Sequence, residues 1–86
     1  MLYTEYSVCV YLDMCDAFAK YIVGNTHAQN KAIGDFRRLW RECLEQFKCT
    51  QVFHKCLELV FKTYEVKVST QERFKKDFER GYIIHS

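Results

Sequence analysis

The chain has 86 residues, 49% hydrophobic and 28% charged, with a formal net charge of +2, three Gly and no Pro. A chain of this length supports a single domain, residues 1–86, burying roughly 60% of the surface it would expose unfolded, which leaves no space for a large enclosed active site beside the core. The hydrophobic content excludes a disordered chain, the lack of Pro excludes Pro-rich linkers, and the near-balanced charge argues against a dedicated nucleic-acid binder.

Residues 4–23 read as the first helix. Glu5, Asp13, Asp16 and Lys20 fall in a stripe of about 80° on a helical wheel, and Tyr6, Val8, Val10, Tyr11, Leu12, Met14, Phe18, Tyr21 and Ile22 occupy the rest. Strand-like alternation over 2–12 cannot account for a charge stripe that continues to Lys20. Gly24 is placed to take a left-handed turn after the helix. The helix is apolar around most of its circumference, so either it is central to the fold or another molecule covers part of it.

Thr26 and Gln29 resemble a capping box opening a second helix over 27–48. Its apolar face is Ala28, Ala32, Ile33, Phe36, Leu39, Trp40, Cys43, Leu44 and Phe47, and Gly34 inside it suggests close packing or a bend. Around Cys49–Thr50 the apolar stripe jumps by about half a turn of the wheel. A break there gives a third helix over 50–66 with Val52, Cys56, Leu59, Val60 and Tyr64 inward. Residues 64–68 alternate, but nothing nearby would pair with them as a strand. Ser69 and Glu72 form a second capping box for a last helix over 70–81, with Phe74, Phe78 and Tyr82 on one face and Gly81 as its end. The expected fold is all-α, a single-domain bundle of about four helices with short loops and antiparallel neighbours.

Chemistry-bearing motifs are sparse. The five cysteines are odd in number and lack a CxxC pair, which fits small core residues in a reducing cytosol better than a disulfide framework. No phosphate loop, GxSxG, HExxH or EF-hand spacing occurs. His54 and Cys56 are two apart on a helix and face different ways, so no metal, cofactor or catalytic residue is expected. The uncharged stretches fall well short of the roughly 20 residues of a membrane span, and no basic leader precedes them, so a cytoplasmic protein without membrane contact is expected.

What remains is surface. Aromatic residues make up 16% of the chain, and Tyr joins apolar area to a polar tip, which suits interfaces. Tyr3, Tyr6, Val8, Val10, Tyr11 and Tyr21 are the expected contact residues for a protein partner or for self-association, a dimer being the simplest case. Small non-catalytic domains of this kind are frequent among viral and mobile-element accessory or inhibitor proteins, an association from size and composition alone. The alternative is a nucleic-acid or nucleotide site on Arg37, Arg38, Arg41 and Lys48, which share the polar face of the second helix. Glu42 and Glu45 on that face favour ordinary intrahelical ion pairs instead, and Glu72–Lys76 and Lys75–Glu79 are expected to pair likewise on the last helix.

Overall fold

The computed structural model describes the backbone of residues 5–47 and 51–85 and the side chains of 8–45 and 51–80. Four helices follow one another: α1 (Glu5–Val23), α2 (Thr26–Phe47), α3 (Gln51–Thr63) and α4 (Val68–His85). They form an all-α bundle of antiparallel neighbours, as the periodicity predicts. The extent of α1 settles residues 5–12 as helix, and 64–67 form a turn and loop instead of a strand. α3 folds back onto α2, with Phe36 and Phe53 at a centroid distance of 6.5 Å, while residues 48–50, where the break at Cys49–Thr50 is expected, lie outside the described residues.

The core is aromatic. Phe18 on α1, Phe36 on α2, Phe53 on α3 and Phe74 on α4 are each no more than 1% exposed. Phe18 meets Phe36, Phe61 and Phe74 edge-on at centroid distances of 6.4, 5.3 and 5.7 Å, so one ring touches all three other helices. Phe36 and Phe74 lie closer still, at 4.5 Å. Edge-to-face geometry sets the positive rim of one ring against the negative face of the next, which stabilises each pair beyond the area it buries.

α1 is not a central helix. It buries Val10, Met14, Ala17, Phe18 and Tyr21, one stripe at helical spacing, and presents the opposite apolar residues outward. The inward face of α3 also departs from expectation. Phe53, Leu57 and Phe61 join Cys56 and Val60 in the core, whereas Leu59 and Tyr64 are 49% and 43% exposed. Once the chain breaks after α2, the rotation of α3 is free of α2's phase, and the large rings win the interior because they bury the most apolar area.

The helix ends differ in detail from the sequence signals. The N-cap of α2 is Asn25, whose Oδ1 accepts the Ala28 N–H at 3.0 Å, so Thr26 already lies inside the helix. Gly24 is not left-handed. It is small because a Cβ there would strike the Lys20 carbonyl oxygen and come within 2.6 Å of the Ala28 Cβ, where the end of α1 folds onto the start of α2. Gly34 is neither closely packed nor explained by a neighbour, since a Cβ on it would meet open space.

α3 stops at Thr63, three residues early, in a Schellman turn: the Val66 N–H reaches the Phe61 carbonyl at 3.0 Å and the Glu65 N–H the Lys62 carbonyl at 3.1 Å. Val66 then packs against the core. α4 follows at once from Val68, earlier than the Ser69–Glu72 box would start it, and no bond of that box forms among the described residues. The Gln71 amide bonds back to the Val66 carbonyl at 2.9 Å instead. Helix α4 also continues through Gly81 to His85. The Schellman turn requires a left-handed residue, and Glu65 takes it at φ 50°. Replacing Glu65 with Gly removes the Cβ clash of that conformation and should stabilise the fold by roughly 0.5–1 kcal/mol, read as a rise of several degrees in Tm.

Candidate interaction surface

Of the residues expected at an interface, Val10 and Tyr21 are 2% and 3% exposed and belong to the core, so they are corrected to packing residues. Tyr21 is further committed by its hydroxyl, which donates to Asp77 Oδ2 at 2.9 Å and ties α1 to α4. Burial and the Asp77 carboxylate together push this phenol up to about 12. Tyr11 is half-buried, with its hydroxyl 3.1 Å from Thr63 Oγ1 on α3. Val8 is 49% exposed and does face solvent. Tyr3 lies outside the described residues, and for Tyr6 the structure describes only the helical backbone.

The surface of α1 is larger than those residues suggest. Leu12, Ile22 and Val23 are 58%, 42% and 83% exposed, with Cys15 and Ala19 half-buried between them. Val8, Leu12, Cys15, Ala19 and Ile22 recur at alternating steps of four and three, the spacing of a coiled-coil seam, with Val8, Leu12 and Ile22 exposed and Cys15 also packing against the edge of the core. One border is Tyr64, whose hydroxyl donates to the Cys15 carbonyl at 3.4 Å. The other border is charged, with Lys20 Nζ 3.1 Å from Asp16 Oδ2. Reading α1 as apolar all round hid this seam, because Val10 and Tyr21 belong to the opposite stripe. The +4, +3 spacing was the available signal.

The basic face of α2 is mixed in charge. Arg38 Nη1 pairs with Glu42 Oε1 at 2.9 Å, Arg37 is half-buried, Arg41 and Glu45 are exposed, and Lys48 lies outside the described residues. On α4 the expected Glu72–Lys76 and Lys75–Glu79 pairs are not formed among the described residues. Arg73 approaches Asp77 at 4.0 Å, and Lys75 lies over the Phe61 ring at 6.0 Å. That contact favours the core-covering rotamer by cation–π attraction.

The thiols divide by depth. Cys43 and Cys56 are buried, and desolvation raises both, Cys43 to about 11, which keeps them protonated and unreactive. Cys9 is exposed, against the expectation of a core position, and Cys15 sits in the α1 seam. No group of three His, Cys, Asp or Glu converges to hold a metal among the described residues. Nor is any described helix long and apolar enough to cross a membrane. No protein-family model, curated protein or solved structure matches the chain.

Proposed function

We propose that this protein is a non-catalytic helical module that acts by protein–protein contact, and that it associates with itself through the outer stripe of α1. The observation that carries this reading is the Val8–Leu12–Cys15–Ala19–Ile22 seam, whose large residues Val8, Leu12 and Ile22 are exposed with half-buried Cys15 and Ala19 between them, an apolar stripe of the kind that marks interfaces. Antiparallel pairing of two copies brings Leu12 against the partner's Ile22 and Cys15 against the partner's Ala19. The small residues then lie at the centre, where the helix axes can approach closely, and the larger ones close the ends. Asp16 and Lys20, already paired within each copy, flank the seam as a charged rim.

This reading makes the protein an accessory or inhibitor-like factor. The mixed charge of the α2 face, with Arg38 already paired to Glu42, supports a protein surface there over a nucleic-acid one. Reduced protein should run as a dimer in size exclusion with light scattering. Leu12→Glu buries an unpaired charge at the seam and should weaken dimerisation by about 100-fold or more while helix content by circular dichroism is unchanged. In Ala19→Cys, mild oxidation should link Cys15 of one copy to position 19 of the other. A wild-type protein that stays monomeric at high concentration, or a Leu12→Glu variant that dimerises as well as wild type, would sink the proposal.

A further inference from the structure

A second feature, a cleft that Tyr21 of α1 also lines, concerns anions. A cleft of about 360 Å³ between α2 and α4 is lined by Arg37 from α2 and by Arg73 and Arg80 from α4. Arg73 and Arg80 are seven residues apart and so share one face of α4. Among the described residues Asp77 is the one acidic residue in that lining, set against three guanidinium groups. Its carboxylate is occupied, taking the Tyr21 hydroxyl at 2.9 Å and lying 4.0 Å from Arg73 Nε. Arg80 makes no hydrogen bond or ion pair among the described residues. The Gln29 and Asn30 side chains line the same cleft from the first turn of α2, a turn without acidic residues, and Arg73 Nη2 reaches Gln29 Oε1 at 3.4 Å.

Three like charges gathered in a concavity repel one another, and the cost falls when an anion sits among them. Guanidinium groups present paired N–H donors whose geometry matches phosphate oxygens, and primary amides add neutral donors. A phosphate monoester carries about −1.5 to −2 near neutral pH and so answers three guanidinium groups better than a phosphodiester or carboxylate, which carries only about −1. We infer that the α2–α4 cleft binds the dianionic phosphate of a small phosphate monoester, held by Arg37, Arg73 and Arg80 with Gln29 and Asn30 as amide donors. The site is separate from the α1 seam and independent of self-association.

The probe is inorganic phosphate, titrated into the full chain at constant ionic strength with chloride as the balancing anion. Side-chain amide and arginine Nε–H resonances are followed by nuclear magnetic resonance. Saturable shifts of the Gln29 and Asn30 amides are expected. Arg80→Ala, at an exposed position with no partner among the described residues, should weaken binding about tenfold or more, the loss of one charge-assisted interaction. Arg41→Ala, which does not line this cleft, should leave binding unchanged. Asp77→Asn keeps an acceptor for Tyr21 and removes the opposing charge, so binding should tighten. Dimethyl phosphate, a monoanion, should bind more weakly than inorganic phosphate. Shifts that do not saturate, equal binding by Arg80→Ala and wild type, or equal binding of the diester and phosphate would each overturn the assignment.

Discussion

Phe18→Ala should cost about 3–5 kcal/mol, the largest loss expected from a single substitution in this chain. Phe18 is 0% exposed and meets rings on α2, α3 and α4, so removing it empties a position where all four helices converge. The cavity cannot close by a local shift, because Phe36, Phe61 and Phe74 are each held by other rings. The edge-on ring contacts vanish as well, and these add to the transfer term. A domain of this size holds roughly 4–13 kcal/mol of total stability, so the variant should lie close to its unfolding midpoint at physiological temperature. Thermal denaturation followed by circular dichroism should show Tm lowered by about 15 °C or more. Phe18→Leu, which keeps most of the volume, should lose much less. A Phe18→Ala variant melting within a few degrees of wild type would contradict the central place assigned to this ring.

The same substitution at two glycines should act with opposite signs. Gly24→Ala puts a methyl group against the Lys20 carbonyl oxygen and 2.6 Å from the Ala28 Cβ, and neither is the end of a flexible side chain. The α1–α2 connection must shift to admit it, at a cost of about 1–3 kcal/mol. Gly34→Ala meets nothing within 4 Å, lies in the middle of α2, and replaces the residue with the greatest unfolded-state freedom. It should stabilise by about 1 kcal/mol and raise Tm by roughly 4–8 °C. Measured side by side, the two variants separate a steric requirement for glycine from an energetic cost. If Gly24→Ala were neutral, the close approach of α1 to α2 would be wrong.

Those two glycines also show where the amino-acid sequence stops being informative. Both are punctuation marks in a helical pattern, and the pattern alone suggests a left-handed turn at one and close packing or a bend at the other. The turn at Gly24 has an ordinary backbone, and Gly34 faces open space. A glycine reports only that something excludes or tolerates the missing Cβ, and what that is depends on a neighbour far along the surface.

Helical period, by contrast, is a local property, and it carried the fold. The four amphipathic segments, the separation of α2 from α3 and the inward positions Ala32, Ile33, Phe36, Leu39 and Cys43 of α2 follow from residues within a few turns of one another. Tertiary structure decided the rotation of each helix about its own axis. In α1 the period allowed any side to face inward. Packing against α2 and α3 chose Val10, Met14, Ala17, Phe18 and Tyr21, and so turned Val8, Leu12 and Ile22 outward. In α3 the burial of Phe53, Leu57 and Phe61 displaced Leu59 and Tyr64 to the surface.

The candidate sites divide in the same way. The α1 seam was present as a +4, +3 spacing but could not be told from a core stripe until the core was seen to lie opposite. The α2–α4 cleft was not visible at all, because Arg37 is 36 residues from Arg73 and 43 from Arg80 along the chain. Along α4 the basic residues look neutralised by acidic neighbours, and only packing against α2 sets Arg73 and Arg80 beside Arg37. A sequence records charge along the chain, whereas binding depends on charge density in space, which is settled when helices distant in sequence are packed together.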